Sequence, residues 1–372
     1  MYLTDEIRIV FVALQRLRNL YLINYNQDIM GHKKVKRIGI LTAGGDCPGL
    51  NAAIRGVGKT AIVEYGMEVI GFSSGYTGLI HKQYVELKEK DLSGILTLGG
   101  TIIGTSREKP FKIVTEEDND KPELIKKNYT DLGLDALVCI GGNGTMKTAN
   151  LLSKIGLNVI GIPKTIDNDV YGTDLTFGFD SAVLIATEAV DRLHSTANSH
   201  GRVMIVEVMG HNAGWIALYA GMAGGGDIIL IPEIEYSMKS VISKIKSRYK
   251  HNKPYTIVVV AEGIDHPKNM SAARYLSESI QSKLDVEARE TVLGYTQRGG
   301  SPSPMDRILA TRYGAFAAQC IAEENFGTMV ALIKNELTTV ALEDVGGKLR
   351  LVNHDHGLVL KGRKMGVSFG DD

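Results

Sequence analysis

Residues 37–51 read RIGILTAGGDCPGLN. The apolar run Arg37–Thr42 is short enough for a strand buried on both faces, and it breaks into Gly44, Gly45 and Asp46 before a helical stretch. The same grammar recurs down the chain. Ala136–Ile140 runs into Gly141-Gly142-Asn143-Gly144-Thr145, and Val159–Ile162 runs into Pro163-Lys164-Thr165-Ile166-Asp167-Asn168-Asp169. Val203–Val208 precedes Met209-Gly210-His211, and Thr256–Val260 precedes Glu262-Gly263. Short β-branched runs alternating with helices predict an α/β protein whose parallel sheets are covered on both faces. In such sheets ligands bind beyond the carboxyl ends of the strands, where each of these polar segments falls.

Composition bounds the rest. A chain of 372 residues exceeds the usual size of one hydrophobic core, so two lobes are expected. Lys plus Arg equals Asp plus Glu at 42 each, which argues against bulk nucleic acid or an anionic membrane as the main partner. The three cysteines, Cys47, Cys139 and Cys320, are odd in number and far apart, so a reducing cytoplasm is expected rather than a disulfide framework. Residues 7–23 are apolar but interrupted by Arg8, Arg16 and Arg18, which breaks the uninterrupted run a membrane span needs. Val10, Leu14, Leu17 and Tyr21 have helical spacing, and the segment reads as a non-catalytic extension before Met30, with a docked helix or membrane association as alternatives. Residues 116–121 read as a charged surface loop and 224–226 as a tight turn.

Two apparent motifs are set aside. Gly56-Val57-Gly58-Lys59-Thr60 resembles the end of a P-loop, but Ala53 stands where the first glycine is required and the segment reads as helix interior. Gly44 to Gly49 is not a dinucleotide fingerprint, because Asp46 takes the second glycine slot. Both Gly44–Asn51 and Gly141–Thr145 do read as glycine-rich turns opening helices, where backbone N–H groups can approach phosphate. Pro163–Asp169 concentrates a cation, a hydroxyl, two carboxylates and an amide. Such a cluster after a buried strand has to be solvated or bound to something charged, and carboxylates two residues apart can share Mg²⁺ with a substrate hydroxyl.

With Gly104-Thr105-Ser106-Arg107 and Gly294-Tyr295-Thr296-Gln297-Arg298-Gly299-Gly300-Ser301, these segments resemble the phosphofructokinase family, in order, from about Lys36 to about Leu342. The resemblance implies two Rossmann-like three-layer lobes with mostly parallel sheets and the site in the cleft between them. Residues 1–35 would be the extension, 36–178 with about 297–347 the ATP lobe, and about 179–296 with 348–372 the fructose 6-phosphate lobe. It implies ATP-dependent phosphorylation of the 1-hydroxyl of fructose 6-phosphate in glycolysis, with Mg²⁺. Asp167 then matches the general base, with Asp169, Thr165 and Arg107 as the other catalytic positions. Gly45, Asn143, Gly144, Thr145 and Lys164 match the donor site, and Asn143 and Asp169 the metal site. Met209, Gly210, Glu262 and Tyr295 match the sugar pocket, and Arg202, Arg289 and Arg298 the 6-phosphate clamp. Arg202 and Arg289 would come from a neighbouring subunit, implying a homotetramer built as a dimer of dimers. No nucleic-acid or membrane partner is implied.

The chain departs from the most familiar bacterial pattern at Asn143, Lys164, His211 and Tyr295. Lys164 is typical of pyrophosphate users and Gly144 of ATP users, and Gly144 is weighted more heavily because an absent side chain leaves room for the nucleotide. The pyrophosphate-dependent enzyme and a non-catalytic regulatory paralogue are the rival readings. At the family's effector pocket, Arg55, Lys59 and Asp227 resemble expected members, whereas His194 and Glu89 weaken the basic character.

Overall fold

The computed structural model describes residues 37–112 and 120–372. The expected helix around Val10–Tyr21 lies outside them, as do residues 113–119. In chain order the elements are β1 (Arg37–Thr42), α1 (Leu50–Val63), β2 (Glu68–Phe72), α2 (Tyr76–Ile80), β3 (Tyr84–Glu86), α3 (Lys121–Asp131), β4 (Ala136–Gly141), α4 (Asn143–Lys154) and β5 (Val159–Pro163). They continue with α5 (Phe179–His200), β6 (Val203–Val208), α6 (Trp215–Ala223), β7 (Ile228–Leu230), α7 (Met238–Lys250), β8 (Thr256–Ala261), α8 (Ala272–Gln281) and β9 (Ala288–Val292). The last are α9 (Pro304–Ala322), β10 (Thr328–Ile333), β11 (Glu336–Ala341), α10 (Leu342–Val345) and α11 (Gly357–Lys364). Lys121 opens α3 rather than closing a loop, because Pro122 suits the first helical turn and Ile125 and Asn128 are buried.

The strands form two sheets. The seven-stranded sheet has the order β11-β10-β5-β4-β1-β2-β3, and the four-stranded sheet β7-β8-β6-β9. The smaller sheet is parallel throughout, while β3 and β11 add antiparallel edges to the larger. The α/β class holds, with sheets of unequal size. All six residues of β4, β6 and β8 are buried, as expected of strands covered on both faces.

Glycines also set how α9 lies on α1. A methyl group on Gly56 would fall 2.7 Å from the Thr311 carbonyl oxygen, and one on Gly314 would fall 2.4 Å from that of Ala53. The P-loop look-alike is therefore a helix crossing: its Gly56 serves backbone contact with α9, and its Gly58 makes room for the Leu92 side chain.

Candidate active site

Register brings the polar segments together. Thr42 lies beside Ile140 and Gly141 beside Pro163, so the carboxyl ends of β1, β4 and β5 are level. The ladders continue just past the strands, with Ala43 N donating to Ile140 O at 2.9 Å and Lys164 N to Gly141 O at 2.9 Å. On the smaller sheet, Glu262 N donates to Val208 O at 2.9 Å and Leu293 N to Glu207 O at 3.0 Å. These bonds align Met209, Glu262 and the Gly294–Arg298 turn at one end of that sheet.

A cavity of about 710 Å³ lies over these ends. Its walls include ten of the expected positions: Gly45, Arg107, Asn143, Gly144, Thr145, Lys164, Thr165, Asp167, Asp169 and Arg298. The loops are tied to one another. Gly44 N donates to Ser106 O at 2.8 Å, and Thr105 Oγ1 to Gly44 O at 2.8 Å. Lys164 is buried, and its ammonium donates to the Gly45 carbonyl. Burial pulls its pKa below the usual lysine value. Lys164 thus ties the β5 loop to the β1 loop.

The two carboxylates share the cavity floor. Asp167 N donates to Thr165 Oγ1 at 3.1 Å, and that hydroxyl lies 3.3 Å from Asp167 Oδ2. Asp167 Oδ1 is buried without a hydrogen-bond partner. Burial first, and the neighbouring Asp169 second, push the Asp167 carboxyl up to about 6. Burial also raises Asp169. Between them Asn168 adopts a left-handed backbone with φ 52°, and its Oδ1 accepts from Thr176 N at 3.0 Å. A carboxylate with a free buried oxygen and a pKa near neutrality is suited to taking a proton from a bound hydroxyl.

Asn143, at the start of α4, donates from Nδ2 to the Asp169 carbonyl at 3.2 Å, while its Oδ1 is buried without a partner. Among the described residues no cluster of three His, Cys, Asp or Glu forms a ready-made metal cage. Two carboxylates and an orphaned amide oxygen fit Mg²⁺, a hard cation that keeps water and takes much of its shell from phosphate.

Six expected positions do not line this cavity. Met209, Gly210, Glu262 and Tyr295 fall outside its walls, where His211 and Asn212 stand instead. Glu262 Oε1 accepts from His211 N at 2.9 Å, and the buried Gln297 Oε1 accepts from Met209 N at 2.8 Å, so both side chains shape the Met209–His211 turn. Tyr295 is exposed, with the Arg298 guanidinium 5.5 Å from its ring centroid. Arg202 and Arg289 lie at the amino ends of β6 and β9, opposite the cavity, where both pair with Glu287. The cavity also has walls that the motifs did not signal: Tyr76, Phe111, Lys147, Leu151 and Leu349.

In the region read as an effector pocket, Lys59 pairs with Glu89 at 3.6 Å. Asp227 pairs with Arg248, and His194 Nε2 lies 2.6 Å from Gly224 O.

The family model described as Phosphofructokinase matches residues 37–321. A Bacteroides thetaiotaomicron protein named ATP-dependent 6-phosphofructokinase 3 is 59% identical over 337 residues, covering 90% of this chain and 100% of that one. A Spirochaeta thermophila ATP-dependent 6-phosphofructokinase is 53% identical over 364 residues, covering 92% and 100%. Among solved structures, Pichia pastoris phosphofructokinase in the T-state aligns with a TM-score of 0.77 at 33% identity. That alignment covers 84% of this chain and 36% of the yeast chain, so this chain spans about a third of that protein's length. A pyrophosphate-dependent phosphofructokinase from Marinobacter aquaeolei aligns with a TM-score of 0.79 over 91% of this chain and 93% of that one, a likeness of fold at 20% identity.

Proposed function

The chain belongs to the phosphofructokinase family, and from that premise we propose how its residues carry out ATP-dependent phosphorylation of fructose 6-phosphate to fructose 1,6-bisphosphate. The observation that carries the residue assignment is the unpartnered Asp167 Oδ1 on the floor of a cavity also lined by Arg107, Arg298 and Lys164.

Asp167 is the general base. Its Oδ1 accepts the proton of the sugar 1-hydroxyl as that oxygen bonds to the transferred phosphorus, and the bond from that phosphorus to the bridging oxygen of the leaving nucleoside diphosphate breaks. Thr165 holds the Asp167 carboxylate and faces the same space. Arg107 supplies fixed positive charge to the spreading negative charge of the phosphoryl group. Gly45, with the amino end of α4, presents backbone N–H groups to the donor phosphates, while the Gly44 N–H is spent on the Ser106 carbonyl. Asp169 and the free Asn143 Oδ1 would hold Mg²⁺, whose chemistry there is to neutralise phosphate charge. Arg298 faces the cavity as part of the acceptor clamp, with Met209, Gly210, Glu262 and Tyr295 forming the sugar side.

Arg202 and Arg289 complete the clamp from a neighbouring subunit; their position at the far end of the smaller sheet supports this, and the family resemblance extends the assembly to a homotetramer. The larger sheet belongs to an ATP lobe of residues 36–178 and about 297–347. The smaller belongs to a fructose 6-phosphate lobe of about 179–296 and 348–372. No helix among the described residues is long and apolar enough to cross a membrane, and a glycolytic role assigns the enzyme to the cytoplasm.

Lys164 alone favours pyrophosphate, but its ammonium is engaged by the Gly45 carbonyl, whereas Gly144 leaves open space. Purified protein supplied with fructose 6-phosphate and Mg²⁺ is expected to turn over ATP in preference to pyrophosphate. A preference for pyrophosphate would overturn the donor assignment, and inactivity with both would overturn the function.

A further inference from the structure

The segment after α10 returns to the acidic loop. Leu349 forms an antiparallel bridge with Val170, and Arg350 N donates to the Asp169 carbonyl at 2.8 Å. The Arg350 side chain continues the contact, with Nη1 donating to the Asn168 carbonyl at 3.1 Å. Both backbone carbonyls that follow Asp167 are therefore held by one residue. Asn168 between the carboxylates is in the left-handed region, which asparagine adopts more readily than other non-glycine residues, and the two carbonyl bonds fix how that turn is oriented.

The other face of the same guanidinium is engaged too. Its carbon lies 4.1 Å from the centroid of the Trp215 ring, and Trp215 Nε1 donates to the Arg350 carbonyl at 2.9 Å. Trp215 is buried and begins α6, directly after the turn that carries Met209 to Gly214. Glu233 anchors both neighbours of this contact. Its carboxylate accepts from Gly214 N at 3.0 Å and from Val352 N at 2.9 Å. Arg350 thus spans from the loop after β5, on the larger sheet, to the helix after β6, on the smaller.

We propose that Arg350 is a positioning residue for phosphoryl transfer, fixing the Asp167–Asp169 carboxylates through the peptide between them and coupling that peptide to α6 through Trp215. The inference rests on the function proposed above. A planar guanidinium can donate at its edge while stacking by its face, which an ammonium cannot reproduce. Misplacing a catalytic group by about 1 Å can cost as much as about a hundredfold in rate.

The test uses the full chain with Arg350→Ala and Arg350→Lys. Arg350→Ala is expected to lower kcat by about tenfold or more, with KM for ATP and fructose 6-phosphate within about threefold of the parent. Added guanidinium ion at non-denaturing concentration is expected to restore part of that kcat in Arg350→Ala and none in Asp167→Asn. A kcat within twofold of the parent, or a loss that guanidinium leaves unchanged in a variant of parental melting temperature, overturns the proposal. Should the alanine variant fail to fold, Arg350→Lys decides: reduced kcat at unchanged KM supports the role, and parental kcat overturns it. Trp215 is the single tryptophan of the chain, so its emission reads the contact without any assay of activity. Removing the stacked cation is expected to change that emission. Unchanged emission overturns the contact itself, whereas an inactive parent enzyme would overturn the functional reading instead.

Discussion

Replacing Gly144 by aspartate should separate stability from activity. Gly144 is the second residue of α4, and a Cβ built there meets nothing within 4 Å. The new side chain therefore enters the cavity without displacing protein. At a helix amino end a carboxylate stabilises by about 0.3–1 kcal/mol, and Lys147, one turn on, adds a favourable neighbour. For a donor phosphate about 6 Å away, Coulomb's law gives about 0.7–2.8 kcal/mol of repulsion per unit charge between the dielectric of water and one of about 20. The donor carries more than one charge, so the loss in kcat/KM for ATP should be about tenfold or more, or at least about 1.4 kcal/mol. The assay is initial-rate kinetics over a range of ATP at saturating fructose 6-phosphate, beside a thermal melt. The variant should melt at or above the parent, with KM for the sugar within twofold. A kcat/KM for ATP within threefold of the parent, in a protein that melts normally, would refute passage of the donor over the start of α4.

Asp167→Asn keeps the shape but cannot accept a proton, so kcat should fall by about 10²–10⁴ with KM much less affected; parental kcat would remove Asp167 from the role. With its carboxyl raised to about 6, kcat/KM of the parent should fall about tenfold per pH unit below that value, and a plateau down to pH 5 would contradict it. Asp306, which accepts from Ser181 N at 2.8 Å and Ser181 Oγ at 2.6 Å, is likewise raised by burial to about 6. Its protonated form is the one folding favours, so its contribution is full below about pH 4 and is lost as pH rises through 6. Denaturant melts should show the parent gaining on Asp306→Asn by up to about 3 kcal/mol between pH 7 and pH 4, and a constant or shrinking gap would refute this. Arg289→Ala and Asp167→Asn subunits mixed into one tetramer should partly complement, because some sites would then escape both defects; mixed tetramers without recovered activity would place the clamp within one chain.

The strands were legible because buried parallel strands need continuous β-branched runs, and those runs end at the polar segments that line the cavity. Three adjacent strands sharing one register then made the site compact, so segments far apart in sequence could be read as one. Arg350 was not legible, since it sits in no motif and acts through backbone carbonyls that only the fold brings to it. Lys164 was legible as a cation, but its bond to the Gly45 carbonyl depends on how closely two loops approach. The Arg248 partner of Asp227 was hidden for the same reason, because α7 meets that turn only in three dimensions.

The seven-stranded sheet also sets a timetable for synthesis. Its β5 edge, ending at Pro163, is covered only by β10, which begins at Thr328. The Gly56 side of α1 waits for α9 over the same interval. The whole four-stranded sheet, from Val203 to Val292, leaves the ribosome in between. A nascent chain can thus close its second sheet while its first still presents an open strand edge and an uncovered helix, the surfaces most prone to pairing with another chain. A stop anywhere before about residue 330 would strand the first sheet in that state, so the loss of the tail, besides taking Arg350 from the acidic loop, is a folding lesion of the half of the molecule made first.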